Sequence, residues 1–242
     1  MNSDILNGKV IWITGGNRGI GAAISLKLLE SNPKLIISAT SVDSLSKTVP
    51  LLQNNPNVVF LPCNLLNEQE INNTANKIIK QFGKIDFLIN NAGVIKFSSL
   101  VKATTEEFDN QIGVNLKGLF LCSRAVLPSM LERKEGAIIN INSVSSINTY
   151  KYNSVYSASK AGALAMSRCL REEVRGEGIK VVDIIPGATD TEIWRQEARE
   201  KYGEVMMKPS DIAEAVFQVV LLCLNKKLMI EEIIVRPQLG DL

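Results

Sequence analysis

Residues 9–30 read KVIWITGGNRGIGAAISLKLLE, and three local patterns follow one another in this stretch. The apolar, β-branched run at 10–14 predicts a buried strand. Glycine then recurs at 15, 16, 19 and 21, which permits a tight turn of the backbone. From there to about residue 30, apolar side chains recur at helical spacing. A strand, a glycine-rich turn and a helix in this order predict the first unit of a doubly wound α/β fold.

The same alternation continues along the chain. Further strands are predicted at 35–39, 58–61, 85–89, 137–141, 180–185 and 230–235, and helices at 19–30, 42–53, 68–82, 106–132, 154–175 and 209–224. Because the strands are apolar nearly throughout, both faces of the sheet should be covered by helices. We therefore predict one domain over residues 1–242, with a Rossmann-like, doubly wound parallel sheet of about seven strands.

One long interruption, at 187–208, follows the carboxyl end of a predicted strand. It is polar and charged around Trp194. Loops longer than about 12 to 15 residues in a compact domain are often functional lids. We expect this segment to cover a substrate, with Trp194 either packed in the segment or in contact with that substrate.

Composition narrows the classes of partner. The chain has 242 residues, 45% of them hydrophobic, and a formal net charge of +2 with no dense basic segment, so we expect a small molecule and no nucleic acid. The longest apolar stretch, 215–224, is too short to cross a bilayer, so no membrane span is predicted. The first residues lack the pattern of a secretion signal, and we expect a cytoplasmic protein.

Cysteine and histidine usage constrains the chemistry. The four cysteines, Cys63, Cys122, Cys169 and Cys223, are widely spaced and form no C-x-x-C pair, so we expect reduced thiols in the core. The chain contains no histidine, which removes the usual general base and the histidine-ligated metal sites. We expect no metal site, and any proton transfer must use other groups.

The glycine-rich turn has the spacing T-G-x-x-x-G-x-G at 14–21. Glycines at these positions let the backbone approach a pyrophosphate, and the following helix presents free amides and the positive end of its dipole. A purely structural turn is the alternative. The position of the glycine-rich turn directly after the first strand favours a dinucleotide site.

The end of the second strand selects between the two nicotinamide dinucleotides. An acidic residue there would bind the ribose 2′-hydroxyl of NAD, and residues 39–41 contain none. Arg18, with the hydroxyls of Thr40 and Ser41, can instead bind the 2′-phosphate of NADP(H). In the alternative, Arg18 is solvated and Asp43 binds the ribose. We predict NADP(H).

Tyr156 and Lys160 form the pattern Y-x-x-x-K at the start of a predicted helix. Residues four apart share a helical face, so the Lys160 ammonium can stand near the Tyr156 phenol. A nearby positive charge lowers the phenol pKa from about 10 toward working pH. We therefore predict a proton-transfer pair. A surface tyrosine beside a solvated lysine is the alternative.

The chain resembles the short-chain dehydrogenases/reductases over essentially its whole length. The resemblance rests on T-G-x-x-x-G-I-G at 14–21, N-N-A-G at 90–93 and Y-x-x-x-K at 156–160, all in the family's order and spacing. Asn115, Ser143, Pro186, Gly187 and Thr191 complete the match. Softer similarities, in 186–188, Trp194 and 230–237, are to bacterial sepiapterin-reductase-like members and to members acting on 3-hydroxy acids.

The resemblance implies a catalytic set. Tyr156 would protonate a carbonyl oxygen as hydride arrives from the nicotinamide, and Ser143 would hydrogen-bond the same oxygen. Lys160 would lower the Tyr156 pKa and bind the ribose hydroxyls. Asn115 would hold a water that links Lys160 to solvent. The predicted substrate contacts are Ser143, Tyr156 and Trp194.

Family analogy and the charge argument together give the predicted cofactor contacts. These are Gly15, Asn17, Arg18, Gly19, Ile20, Gly21, Thr40, Ser41, Asn64, Leu65, Asn91, Ala92, Gly93, Tyr156, Lys160, Pro186, Gly187 and Thr191. Within N-N-A-G, residues 90–93 are all expected to line the cofactor or support its strand. Asn64 stands where the family usually has an aspartate that binds adenine, so we expect altered adenine binding.

These residues predict an NADP(H)-dependent oxidoreductase acting on a small carbonyl compound or secondary alcohol, sepiapterin-like or of the 3-oxo/3-hydroxy type. A 3-oxoacyl-carrier-protein reductase is an alternative. A non-catalytic NADP(H)-binding regulator or scaffold is an alternative of another class. The resemblance also implies a homotetramer or dimer that assembles through the helices at 106–132 and 154–175.

Overall fold

The computed structural model describes residues 4–46 and 50–240, except for the side chain of Ser46. Its strands are β1 (Val10–Thr14), β2 (Lys34–Ser38), β3 (Val58–Phe60), β4 (Phe87–Asn90), β5 (Gly136–Ile141), β6 (Ile179–Pro186) and β7 (Glu232–Val235). Its α-helices are α1 (Gly19–Leu29), α2 (Val42–Ser46), α3 (Pro50–Gln53), α4 (Glu68–Phe82), α5 (Thr105–Ile112), α6 (Leu119–Arg133), α7 (Ser154–Val174), α8 (Gln196–Tyr202) and α9 (Pro209–Cys223).

The seven strands form one sheet in the order β3-β2-β1-β4-β5-β6-β7, and every neighbouring pair is parallel. The strand order reverses between β1 and β4, which lie side by side. In sheets of this type the reversal leaves a crevice at the carboxyl ends of the strands. The fold is therefore the predicted doubly wound parallel sheet, and its crevice opens beyond Thr14 and Asn90.

Helices cover both faces of the sheet. In β1, Ile11 and Ile13 pack toward α1 and α9, while Val10 and Trp12 pack toward α4 and α6. Each of these four side chains is buried. Burial on both faces explains why the strands lack the polar alternation of a half-exposed sheet.

The predicted strands match the observed ones within one or two residues at their ends. Two predicted helices differ. The helix at 42–53 is two short helices, α2 and α3, and its positions 47–49 lie outside the described residues. The helix at 106–132 is divided by a π-helical turn, Gly113–Gly118, between α5 and α6.

Close packing accompanies this π-helical turn. A Cβ on Gly113 would lie 2.5 Å from Leu66 Cδ2, and one on Gly118 would lie 2.9 Å from Leu65 Cβ. The two glycines therefore let the helix approach the segment that follows β3. Turns of this kind often occur at functional sites, and this one contains Asn115.

The segment 187–208 is more ordered than the predicted loop. A bridge between Thr189 and Met207 joins its two ends, and the Asp190 amide donates to the Met207 carbonyl at 2.8 Å. Between them lies α8, whose Arg199 pairs with Asp190 at 2.6 Å. Helix α8 buries none of its side chains, so it lacks the apolar periodicity that predicts a helix.

Two further expectations concern the core and the membrane. Cys63 and Cys122 are buried and unpaired, whereas Cys169 is exposed on α7, so the prediction of a core thiol is wrong for Cys169. Position 169 lies on the outer face of α7. The apolar residues near it in sequence did not indicate this exposure. Among the described residues, none of the helices has the length and apolar character needed to cross a bilayer.

Candidate active site

A cavity of about 590 Å³ lies at the carboxyl ends of the strands. Its walls come from the segments that follow β1, β2, β3, β4, β5 and β6, together with the start of α7 and the segment 187–208. These contributions are distant in sequence and meet only because parallel strands end at one edge of the sheet. The cavity therefore joins the glycine-rich turn to the Tyr156 region.

The glycine-rich turn depends on the absence of side chains. Gly15 and Gly19 have positive φ angles of 63° and 53°, where other residues are strained. A Cβ on Gly21 would lie 2.2 Å from the Gly15 carbonyl oxygen, so the helix approaches the turn as closely as glycine allows. Gly15, Gly19 and Gly21 all line the cavity.

The first turn of α1 presents hydrogen-bond donors to this cavity. Arg18 is the N-cap, and its side chain does not cap the helix. The amides of Gly19, Ile20 and Gly21 belong to the group that an α-helix leaves without intrahelical partners. These amides and the helix dipole suit the phosphates of a dinucleotide, so the residues present fit such a cofactor.

Two neighbouring asparagines of N-N-A-G have different surroundings. Asn91 Nδ2 donates to the carbonyls of Thr14 and Gly15, each at 2.9 Å, and so holds the glycine-rich turn. Asn90 points into the sheet, where Nδ2 donates to Asn140 Oδ1 at 2.9 Å. Asn91, Ala92 and Gly93 line the cavity, whereas Asn90 supports the strand without lining it.

The residues expected at a 2′-phosphate lie at one end of the cavity. Thr40 and Arg18 line it, and Ser44 joins them. Ser41 does not line the cavity, and its hydroxyl accepts the Ser44 amide at 3.2 Å at the start of α2. The alternative ribose ligand, Asp43, is also not a lining residue.

Arg18 has a partner that the sequence did not predict. Its Nη1 lies 3.1 Å from Glu192 Oε2, and both side chains are mostly exposed. Glu192 lies on 187–208, so this ion pair links that segment to the glycine-rich turn. Asn17 links the glycine-rich turn to α2 instead, since its Nδ2 donates to the Ser44 carbonyl at 3.0 Å.

Asn64 and Leu65 line the cavity after β3, where an adenine would lie by family analogy. Asn64 Oδ1 already accepts the Leu66 amide at 3.0 Å. A carbonyl oxygen has two lone pairs, so one acceptor position is left for an adenine amino group.

The predicted catalytic side chains converge at the other end of the cavity. Ser143 follows β5, and it lies close enough to Tyr156 to lower the pKa of that phenol. Ser143 Oγ also accepts the Ser145 amide at 3.1 Å, which fixes the rotamer of this side chain. Lys160 lies one helical turn beyond Tyr156, with Nζ 5.9 Å from the phenol ring centroid.

The shift of the Tyr156 pKa is opposite to the one that the sequence predicted. Burial raises the pKa of the Tyr156 phenol, and the Ser143 hydroxyl opposes that rise. Lys160 Nζ donates to the Ile141 carbonyl at 2.9 Å, so its charge is directed at the backbone. Burial lowers the pKa of Lys160 to about 8, and the negative charge of Asp183 opposes this fall.

Asn115 is buried beside this set but does not line the cavity. Its Nδ2 donates to the Val94 carbonyl at 2.9 Å and to Ser159 Oγ at 3.0 Å, and its Oδ1 accepts the Val94 amide at 2.8 Å. These bonds join the π-helical turn to α7 and to the segment after β4. The side chain predicted to hold a water is thus occupied in joining three elements.

The remaining predicted contacts line the cavity between its two ends. Pro186, Gly187 and Thr191 all do so, and Thr191 Cγ2 would lie 3.5 Å from a Cβ on Gly19. Trp194 lines the cavity and contacts Phe97, with ring centroids 5.6 Å apart. Phe97, Tyr150 and Lys151 are lining residues that sequence reasoning missed. Phe97 follows the carboxyl end of β4, and that position is the one signal that points to it.

Comparison with known proteins identifies the family. The family model described as short chain dehydrogenase matches residues 9–202. An uncharacterized oxidoreductase of Staphylococcus aureus (strain USA300) is 34% identical over 233 residues, which cover 96% of this chain and 99% of that protein. The chain therefore belongs to the short-chain dehydrogenase family and is an oxidoreductase by membership.

Solved structures agree with this assignment. A metagenomic short-chain oxidoreductase in complex with NADP has a TM-score of 0.83 and 31% identity, covering 96% of this chain and 98% of that one. An alcohol dehydrogenase from the archaeon Thermococcus sibiricus, complexed with 5-hydroxy-NADP, has a TM-score of 0.83 and 29% identity. The match covers 95% of this chain and 97% of that one.

Proposed function

We propose that this protein transfers a hydride between NADP(H) and the carbonyl carbon of a small molecule. One observation carries the proposal: the Ser143–Tyr156 pair and the buried Lys160 line the same cavity as the uncapped first turn of α1. Such a cavity brings a dinucleotide-binding turn and a proton donor together.

The chain's own residues supply the proton and orient the carbonyl group. The cofactor, when bound, supplies the hydride. The Tyr156 hydroxyl donates its proton to the carbonyl oxygen, and its raised pKa keeps it protonated and ready to donate in the reductive direction. Ser143 Oγ lies beside that phenol and hydrogen-bonds the same oxygen. Lys160 provides a positive charge that stabilises the phenolate left behind.

NADP(H) is the proposed cofactor. Its support is the cationic Arg18 at the cavity, with the hydroxyl of Thr40 and no carboxylate at 39–41. A 2′-phosphate would compete with Glu192 for Arg18 and would offer two negative charges in place of one. The similar metagenomic oxidoreductase was solved with NADP, and the Thermococcus enzyme with a derivative of NADP.

The proposed substrate is a small carbonyl compound, sepiapterin-like or of the 3-oxo/3-hydroxy type. The cavity wall beyond Tyr156 is apolar and aromatic, with Phe97, Trp194 and Val144, which suits a flat or aliphatic body. A 3-oxoacyl-carrier-protein reductase would need the same wall to admit an acyl chain. The segment 187–208 is proposed as the lid over this end of a single catalytic domain.

We also propose a cytoplasmic homo-oligomer, a dimer or tetramer. Phe108 and Phe120 on α5 and α6 are partly exposed and apolar, which suits a contact with another copy. The four unpaired cysteines suit a reducing compartment. Sedimentation at micromolar concentration tests the assembly, and a clean monomer would contradict it.

A panel of carbonyl compounds, assayed by oxidation of NADPH and of NADH, tests the proposed reaction. We expect turnover with at least one ketone and a preference for NADPH. Tyr156→Phe is the control. If wild type and control bind NADPH equally well and neither reduces any carbonyl compound, the alternative of a non-catalytic NADP(H)-binding regulator or scaffold replaces this proposal.

A further inference from the structure

A row of polar residues crosses the sheet below the cavity. The strand registers pair Asn90 with Asn140, Asn140 with Asp183, and Asp183 with Glu232, across β4, β5, β6 and β7. We call these four residues the polar row. Directly paired residues on parallel strands point to the same face, so the four side chains form one line across the sheet.

Asp183 is the buried anion of this row and is fully inaccessible to solvent. Its Oδ2 accepts from Arg171 Nη2 at 3.0 Å and from the Ser167 hydroxyl. Its Oδ1 accepts from Asn142 Nδ2 at 3.4 Å. Arg171 is also buried and donates to the carbonyls of Val181 and Glu231. A buried ion pair is often no more stabilising than apolar residues of similar volume, so stability alone gives little reason for this pair.

The contacts of Asp183 lead to the predicted catalytic set by two routes. Through Asn142, Asp183 is bonded to the segment 141–143, which supplies the Lys160 acceptor at Ile141 and the Ser143 hydroxyl. Along α7, Lys160, Ser167 and Arg171 are seven and then four residues apart, so they share one face of the helix. Lys160 therefore shares the face of α7 whose later residues, Ser167 and Arg171, bind the Asp183 carboxylate.

We propose that Asp183 is a positioning residue for the proposed reaction: it fixes the segment 141–143 and keeps the buried Lys160 positively charged. This inference rests on the proposed function. The buried ammonium loses hydration, and the negative charge of Asp183 compensates for part of that loss.

The charged residues around the Asp183 carboxylate and the Lys160 ammonium define a matched control. Arg171 and Arg168 face Asp183 from α7, and Glu232 faces it from β7. The Glu231 and Glu232 carboxylates each lie 3.8 Å from Arg171 Nη1. Glu232 is partly exposed and engaged with Arg168 at 2.6 and 2.9 Å. The charge of Asp183 favours charged Lys160. Glu232 lies one strand further along the sheet, on β7, and its charge is balanced by Arg168.

The experiment compares Asp183→Asn with Glu232→Gln, two nearly isosteric changes that each remove one carboxylate from paired positions. Removing a negative charge near Lys160 lowers the pKa of its ammonium below about 8. In Asp183→Asn, we therefore expect the fall of kcat at high pH to begin roughly half a pH unit or more lower than in wild type. Glu232→Gln is expected to keep the wild-type pH profile.

Two further variants separate charge from structure. Asn142→Ala keeps the Asp183 charge but frees 141–143, so kcat is expected to fall without a shift of the pH profile. Asp183→Asn leaves the buried Arg171 without its carboxylate. The double variant Asp183→Asn/Arg171→Met removes both charges and is measured in parallel. It is expected to shift the pH profile in the same direction as the single variant but by less, because it also removes the positive charge of Arg171. Identical pH profiles for wild type and both Asp183 variants would overturn the proposal.

A second readout is independent of turnover. Titration of the Lys160 side-chain amine by NMR, assigned with Lys160→Arg, is expected to give a lower pKa in the Asp183 variants than in Glu232→Gln. If no carbonyl is reduced by wild type, the proposed function fails, and this titration still decides whether Asp183 keeps Lys160 charged. If wild type is active and the titration does not move, only the inference about Asp183 fails.

Discussion

The two ends of the cavity are built in different ways. The glycine-rich turn is one contiguous segment, 14–21, and it offers mainly backbone amides. The Tyr156 end joins side chains from the segment after β5 and from α7, and burial changes the pKa of Tyr156 and of Lys160. The glycine-rich end depends on the backbone conformation of one segment. The Tyr156 end depends on the burial and hydrogen bonding of a few polar side chains. Substitutions should therefore affect the two ends through different measurable quantities.

Tyr156→Phe should have the largest effect, because it removes the proposed proton donor and leaves the glycine-rich turn intact. We expect kcat/KM for carbonyl reduction to fall by about 10² to 10⁴, while NADPH affinity by fluorescence titration stays within a few-fold of wild type. Tyr202→Phe, on the partly exposed α8, is the control and should be neutral. A Tyr156→Phe enzyme of nearly full activity would remove Tyr156 from the reaction.

Gly21→Ala should affect the opposite end. The new Cβ would lie 2.2 Å from the Gly15 carbonyl oxygen and 2.4 Å from Asn91 Nδ2, so the turn must shift. Such overpacking costs about 1–3 kcal/mol, and we expect NADPH to bind about tenfold or more weakly. Gly176→Ala is the matched control, since nothing lies within 4 Å of its Cβ. Unchanged NADPH affinity in Gly21→Ala would contradict the proposed phosphate site.

Arg18→Gln tests which dinucleotide is bound. Loss of a charged hydrogen bond to the 2′-phosphate should reduce the preference for NADPH over NADH by about tenfold. Glu192→Gln removes the exposed partner of Arg18 and should raise NADPH affinity by no more than about a few-fold. If the ratio of the two affinities does not change in Arg18→Gln, another residue binds the 2′-phosphate or the cofactor is NAD.

Trp194→Ala should have the smallest effect. Trp194 and Phe97 are in ring contact at the apolar wall, and aromatic pairs contribute about 0.5–1.5 kcal/mol. We expect KM for the carbonyl substrate to rise several-fold with little change in kcat. In the double variant with Phe97→Ala, the two effects should be less than additive, because the residues share one contact. Fully additive effects would contradict a joint role of the pair.

Local patterns predicted the frame of the molecule. The strands and the turn at 14–21 follow from contiguous apolar runs and glycine spacing, and each was predicted close to its observed position. The π-helical turn at Gly113–Gly118 was not predicted, because it coincides with packing against Leu65 and Leu66, which lie far away in sequence. Helix α8 was missed because all its side chains are at least partly exposed.

The sequence predicted which residues belong to the site, but not their contacts or the shifts of their pKa values. The Y-x-x-x-K spacing placed Lys160 near Tyr156, but it did not reveal that Lys160 bonds the Ile141 carbonyl or that burial raises the Tyr156 pKa. Asp183 belongs to the apolar run 180–185, where a single carboxylate gave no sign of partners. Only the register of β5, β6 and β7 brings Asp183 together with Asn140 and Glu232.

Isotope transfer tests whether this cavity performs hydride transfer. The protein is incubated with NADPH carrying deuterium at the transferable C4 position and with the best carbonyl compound of the panel, and the product is analysed by mass spectrometry and NMR. We expect one deuterium on the carbinol carbon of the wild-type product and almost no product from Tyr156→Phe. A product without deuterium on that carbon, or no product from wild type that binds NADPH, would contradict the proposed reaction.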